Sequence, residues 1–161
     1  MVTFTFEEKD EYELALQLIS ASILYHREDL LNRVIAMVDP AYKGQDAILE
    51  KLLSFRQEGR ADVKLPFHKK PYTTLLQVMR EENKEKAADK LKTYCKEWYP
   101  AFKQAPWHDG HLRINGNDGD YFGYWAFEAG AVAYLCGLDD SKIDHMVYPR
   151  DLVAFARSFK G

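Results

Sequence analysis

Helical periodicity runs through almost the whole chain, because apolar residues recur at every third or fourth position. No segment keeps the sustained alternation of apolar and polar residues that is typical of a half-buried β-strand. The pattern predicts helices at residues 10–27, 29–38, 47–55, 71–82, 84–99, 121–136 and 149–159. Since mostly short connections join these helices, we expect an all-α fold of stacked antiparallel helix pairs, arranged as a bundle or a short solenoid.

The first predicted helix carries two adjacent apolar rows. One row contains Leu16, Ile19 and Ile23, and the other contains Leu14 and Leu18. A wide apolar arc of this kind predicts that the helix packs against two neighbours.

Local signals predict where several helices begin and end. Asp46 can cap the third helix, because its carboxylate can accept a hydrogen bond from a free backbone N–H of the first turn. Gly137 suits the left-handed residue that follows a helix, with Leu138 folding back as the accompanying apolar contact. Pro40 and Pro100 are expected to end the second and fifth helices, since proline disfavours the helical conformation in the residue before it.

Length and charge limit the class of protein. The 161 residues fit one domain spanning 1–161, and 47% hydrophobic with 29% charged residues is an ordinary soluble balance. The 22 basic and 25 acidic side chains give a net charge of −3, which argues against a broadly basic surface that binds nucleic acid directly.

Neither a membrane span nor a secretion signal is expected. The longest apolar stretch, residues 121–138, is rich in Gly, Ala and Tyr and has Glu128 at its centre, which favours a buried helix over a bilayer span. The first ten residues lack the cationic start and apolar run of a signal peptide, so we expect a cytoplasmic protein. Two cysteines are too few for a disulfide framework.

A histidine-containing loop is the first candidate for chemistry. His108, Asp109 and His111 lie close together in the sequence, and with Glu128 they could hold a metal ion for hydrolysis. However, strong metal-binding histidine pairs lie on a helix face, whereas residues 108–120 read as a loop. We therefore expect His108 and His111 to be structural polar groups, and we assign no metal ligand, cofactor or catalytic residue.

Glu128 is the second candidate, because it lies in the most apolar predicted helix. Burying an isolated carboxylate costs several kcal/mol unless it is paired or hydrogen-bonded. We expect it to contact a tyrosine hydroxyl, His108, His111 or Arg150, and to connect helices rather than to catalyse a reaction.

Acidic residues form the third candidate. Five aspartates flank the sixth predicted helix: Asp118, Asp120, Asp139, Asp140 and Asp144. A second acidic group crowds the start of the chain: Glu7, Glu8, Asp10, Glu11 and Glu13. Such groups are usually solvated faces, but they also attract basic partners and accelerate docking. We take the five aspartates as candidate residues for binding a partner protein.

A family resemblance is carried mainly by two segments, YFGYWAFEAGAVAYLCGLDDS at 121–141 and YPRDLV at 148–153. They resemble the C-terminal domain of PoNi-like immunity proteins, which neutralise bacterial polymorphic toxins. Residues 11–16, Asp39 and residues 94–99, which lead into Trp107 and His108, also look similar, so the resemblance covers most of the chain.

The resemblance implies an all-α, non-enzymatic domain that binds a cognate toxin in the cytoplasm. The toxin would most often be a DNase delivered by contact-dependent secretion. The family often has a further N-terminal helical domain, for which 161 residues leave no room, so the chain is either a single-domain member or a piece of a longer protein. Two alternatives stay open: a metal-dependent hydrolase using His108, Asp109, His111 and Glu128, and a helical scaffold with another client.

Overall fold

A computed structural model describes residues 3–119 and 121–161 of the chain. These residues form seven α-helices and one 3-10 helix at Gly110–Arg113, and they include no β-strand. The α-helices are α1 Lys9–Leu24, α2 Glu28–Tyr42, α3 Ala47–Leu53, α4 Tyr72–Arg80, α5 Lys84–Ala101, α6 Phe127–Cys136 and α7 Arg150–Ser158. The predicted all-α fold is confirmed. In this part of the chain, no helix is long and apolar enough to cross a membrane.

Helices that are adjacent in the sequence pack in pairs: α1 with α2, α4 with α5, and α6 with α7. Helix α1 also packs against α6, which joins the beginning of the chain to its C-terminal third. The predicted packing of helices in pairs is confirmed, and α1 packs against more than one helix, namely α2, α6 and α7.

The two apolar rows of α1 nevertheless lie in different environments. Leu16, Ile19 and Ile23 are fully buried, whereas Leu14 is 49% and Leu18 is 41% exposed. Burial of one such aliphatic side chain contributes about 1.5–3 kcal/mol to stability. The first row therefore builds the core, and the second row leaves apolar surface uncovered at the side of α1.

The predicted caps of α3 and α6 are confirmed. The Asp46 carboxylate accepts a hydrogen bond of 3.0 Å from the backbone N–H of Leu49. Gly137 has a φ of 62°, and the N–H of Leu138 donates to the carbonyl of Ala133 at 2.9 Å. Both contacts satisfy backbone groups that the helix itself leaves without a partner.

The prediction that Pro40 and Pro100 end their helices is wrong, since both lie inside the last turn of a helix. Helix α2 ends only two residues after Pro40, and α5 ends one residue after Pro100. A proline so close to the C-terminal end removes a single helical hydrogen bond. Tertiary contacts also hold the preceding turn of α2, where Arg60 donates to both Asp39 oxygens at 2.9 and 3.0 Å.

The start predicted for the sixth helix is also wrong, because α6 begins at Phe127 and residues 121–126 are not helical. Tertiary hydrogen bonds determine this segment. The N–H of Ala126 donates to the carbonyl of Val147 at 2.9 Å, and the carbonyl of Trp125 accepts from Gln17 at 3.0 Å. Gly123 has a φ of 93°, and a Cβ there would lie 2.6 Å from Nε1 of Trp125. Only glycine fits this turn without strain.

Candidate functional site

An open cavity of about 560 Å³ lies between the start of α1 and residues 121–127. We call it the aromatic cleft, because its walls include seven aromatic side chains: Trp98, Trp107, Tyr121, Phe122, Tyr124, Trp125 and Phe127. All three tryptophans of the chain are among them. The cleft thus combines a concave shape with the side chains that most often anchor protein interfaces.

The floor of the aromatic cleft is rigidly connected to the core. Trp98 on α5 is buried, and its indole N–H donates to Oε1 of Glu13 at 3.0 Å. Trp107 stacks on Trp98 with ring centroids 5.5 Å apart and planes inclined by 20°. Gln17 joins α1 to the segment before α6, since its amide donates to Glu13 one turn earlier on α1 at 3.1 Å and to the carbonyl of Trp125 at 3.0 Å. These contacts fix the cleft before any partner arrives.

The second wall is attached to the histidine loop. Nδ1 of His111 lies 2.7 Å from the hydroxyl of Tyr124, and that hydroxyl also accepts from the backbone N–H of His111 at 3.2 Å. His108 instead stacks on Tyr99, with centroids 4.1 Å apart. Tyr99 donates from its hydroxyl to Asp109 at 2.5 Å, and this hydrogen bond contributes to lowering the pKa of Asp109. The two histidines thus contact tyrosines that support the loop.

The opening of the cleft exposes large apolar groups. Phe122 is 89% exposed, Trp125 is 40% exposed, and Leu14 from the uncovered row of α1 lies beside them. Exposed apolar side chains grouped around one cavity are typical of a binding surface, whereas single exposed ones are ordinary.

Charge around the aromatic cleft is predominantly negative. Asp10, Glu11 and Glu13 line it, against one cationic side chain, Arg113. The guanidinium of Arg113 donates to two backbone carbonyls, with distances of 2.8 Å to Pro106 and 3.3 Å to His108. The cleft therefore presents aromatic faces and carboxylates together.

Beneath the floor lies a pair of buried carboxyl groups, Glu13 and Glu128, each of which shifts the pKa of the other. Glu13 accepts hydrogen bonds from Gln17, from Trp98 and from the hydroxyl of Tyr72. Burial raises the pKa of both Glu13 and Glu128, and the neighbouring charge of Glu13 adds to the rise that leaves the pKa of Glu128 well above its ordinary value.

The tyrosine hydroxyl that Glu128 was expected to contact belongs to Tyr94, which donates to Oε1 at 2.7 Å. Arg150 donates to the carbonyl of Ile143 instead, and His111 contacts Tyr124. The structure also places Glu13 in the core, whereas the acidic start of the sequence suggested a solvated face. Its spacing could have indicated this, because Glu13 lies three residues before the buried Leu16 and shares its side of the helix.

The sequence candidates for metal binding do not form one site. Among residues 3–119 and 121–161, no group of three or more His, Cys, Asp or Glu side chains is arranged to hold a metal ion. His108, Asp109, His111 and Glu128 make the separate contacts described above. Their arrangement fits support of the loop and of the core.

Three of the five candidate aspartates, Asp118, Asp139 and Asp144, are exposed. Asp120 lies outside the described residues. Asp140 is 9% exposed and holds internal contacts, accepting from Arg157 at 2.8 Å and from the hydroxyl of Tyr148 at 2.5 Å. Arg157 and Tyr148 thus occupy the Asp140 carboxylate within the fold.

The exposed aspartates do not line the aromatic cleft. Asp139 borders a different cavity together with lysines 84, 92 and 142, so its surroundings are mixed in charge. Asp118 forms an isolated antiparallel bridge with Asn115 through two backbone hydrogen bonds of 2.8 and 3.0 Å. The acidic side of the cleft comes from α1 instead.

Comparison with known proteins identifies the family. The family described as "PoNe immunity proteins (PoNi), C-terminal" matches residues 44–152, and the chain belongs to this family. The resemblance found in the sequence is thereby confirmed. The chain is also similar to a solved structure, the crystal structure of protein PA2201 from Pseudomonas aeruginosa, with a TM-score of 0.66 and 26% sequence identity. That match covers 92% of this chain and 51% of the other, so the chain spans about half the length of PA2201. No curated protein matches.

Proposed function

We propose that this chain is an immunity protein that binds a cognate polymorphic toxin and neutralises it. Membership of the PoNi family over residues 44–152 is the observation that carries this proposal. The all-α fold, built of packed helix pairs, suits a protein that acts by occupying the surface of another. In this proposal residues 1–161 act as one domain, consistent with the packing of α1 against α6, and the chain has no catalytic role.

The proposed toxin is a DNase that contact-dependent secretion delivers, and the proposed place of action is the cytoplasm of the producing cell and its kin. A DNase needs a basic groove for its phosphate-rich substrate. Carboxylates on an inhibitor can occupy such a groove or steer the approach of the two proteins. The net charge of −3 is small, so the attraction must come from local groups rather than from a uniformly acidic surface.

The exposed aspartates Asp118, Asp139 and Asp144 are proposed contacts for this steering, with Asp120 as a further one in the sequence. Asp140 acts within the fold, where it supports the turn that carries Asp139.

The test uses the toxin encoded beside the gene for this chain. Cells that express the toxin should survive only when the chain is co-expressed, and the two purified proteins should form a stable complex in which DNA cleavage stops. Normal killing despite abundant soluble chain would reject the immunity function. Protection against a toxin that leaves DNA intact would keep that function but reject the DNase assignment.

A further inference from the structure

We propose that the aromatic cleft is the docking site for the toxin, and that it receives an arginine side chain from a protruding basic segment. This inference rests on the proposed immunity function and adds to it the surface and the chemistry of contact. The exposed aspartates would then steer the approach, while the cleft would supply the binding energy.

Uncovered aromatic surface is the first argument. Phe122 and Trp125 expose 89% and 40% of their surface at the opening, and Leu14 extends this apolar rim onto α1. A partner that covers these groups removes apolar area from water, which is worth about 25 cal/mol per Å². Few, centrally placed aromatic residues usually dominate the energy of such interfaces.

Charge complementarity defines the occupant. Asp10 and Glu11 lie among the cleft residues, and the backbone N–H of Thr5 fixes the Glu11 carboxylate at 2.6 Å. A guanidinium that enters the cleft meets carboxylates and the faces of aromatic rings together. Arginine is the side chain that pairs with the former and stacks on the latter. The same carboxylates would repel the phosphates of a nucleic acid.

Preformed walls are the third argument. The hydrogen bonds of Gln17, the stacking of Trp107 on Trp98 and the contact between His111 and Tyr124 hold three separate chain segments in place. A cleft that is ordered in advance loses little conformational entropy on binding, so more of the contact energy appears as affinity.

The experiment measures binding of the purified toxin domain encoded beside this gene, by calorimetry and by stopped-flow tryptophan fluorescence. The fluorescence is a direct probe because all three tryptophans line the cleft. Phe122→Ala and Asp10→Lys should each weaken binding by about tenfold or more. The matched controls are Leu65→Ala, which removes another exposed apolar side chain, and Glu58→Lys, which changes the net charge equally. Both controls should bind within about twofold of wild type.

Each outcome has a defined meaning. Toxin that does not bind the wild-type chain overturns both the immunity function and this inference. Toxin that binds the Phe122 and Asp10 variants as tightly as wild type overturns only the inference. The exposed arginines of the toxin are also replaced by alanine one at a time, and one of them should reproduce the loss. If none does, or if the chain alone forms a dimer that Phe122→Ala dissociates, the assigned occupant is wrong.

Discussion

Glu13 on α1 and Glu128 on α6 are both buried in the core, close enough that each shifts the pKa of the other. Two carboxylates in contact cannot both be ionised at low cost. Glu13 accepts three hydrogen bonds, which favour its charged form. Oε2 of Glu128 has no N–H or O–H donor in the described part of the chain, and we therefore expect this carboxyl group to hold a proton that it shares with Glu13. Such a shared proton would join the two helices.

The shared proton predicts that stability depends on pH. The pKa of Glu128 in the folded chain lies well above its ordinary value of 4.5, so the folded state holds the proton more tightly than the unfolded state. The stabilisation is complete below about pH 4.5 and is lost as the pH rises through the raised pKa. In urea unfolding from pH 4.5 to 9, the contribution of Glu128 to the free energy of unfolding should therefore decrease. Comparison with the variant Glu128→Gln isolates this contribution.

Glu128→Gln should remove that dependence. The amide can donate to Glu13 and accept from Tyr94 as the protonated acid does, but it cannot ionise. The variant should match wild type near pH 5 and exceed its free energy of unfolding at pH 9. Glu128→Ala, which strands both neighbours, should instead cost about 1–3 kcal/mol. Parallel pH profiles for wild type and Glu128→Gln would contradict the shared proton.

Glu13→Gln tests which member of the pair carries the charge. A glutamine there replaces an acceptor oxygen with an amide group among the donors Trp98, Tyr72 and Gln17. We expect a loss of about 1–3 kcal/mol in urea unfolding at pH 7, because a buried polar group is left unsatisfied. A neutral Glu13→Gln together with a destabilising Glu128→Gln would reverse the assignment.

Much of the fold could be predicted because it depends on local periodicity. The buried row of Leu16, Ile19 and Ile23 repeats at helical spacing, and Asp46 and Gly137 are residue types whose local chemistry specifies a helix end. These features need no knowledge of distant contacts, so one sequence is enough to place them.

The aromatic cleft could not be predicted in the same way, since it joins side chains from α1, α5 and residues 107–127. The aromatic residues before Phe127 fit helical spacing, yet hydrogen bonds from Gln17 and to Val147 hold them outside the helix. The partnership of Glu13 with Glu128 is equally long-range. Tertiary contacts of this kind override the local preference for a helix. The residue types in the sequence do not identify which distant side chain each residue contacts.

Neighbouring aspartates should respond differently to neutralisation. Asp140→Asn weakens the contacts with Arg157 and Tyr148, and should cost about 1–3 kcal/mol at pH 7 in urea unfolding. Although burial opposes ionisation, the hydrogen bonds from Tyr148 and Arg157 leave the pKa of Asp140 below its ordinary value. The stabilisation is therefore present above the ordinary value and is lost as the pH falls through the lowered one.

The matched variant is Asp139→Asn. The Asp139 side chain is exposed and accepts a local hydrogen bond of 3.0 Å from the N–H of Ser141. The Asp139→Asn variant should therefore be as stable as wild type. Asp139→Lys should slow association with the toxin if this residue takes part in steering. Equal losses of stability from Asp139→Asn and Asp140→Asn would contradict the different roles assigned to them.

The contact between α6 and α7 depends on the absence of a side chain at Gly130. A Cβ there would lie 2.7 Å from Cγ of Pro149 and 2.9 Å from Cγ2 of the buried Val153. Both atoms belong to stiff side chains at the start of α7, so the whole helix would have to move. Gly130→Ala should therefore destabilise the chain by about 1–3 kcal/mol, measured as a lower urea midpoint with an unchanged slope. The control is Gly110→Ala, whose nearest neighbour lies 3.6 Å away at the end of the flexible Arg113 side chain. The Gly110→Ala variant should unfold at the wild-type urea midpoint. If the two substitutions have equal effects, the close approach of α7 to α6 is not the reason for glycine at position 130.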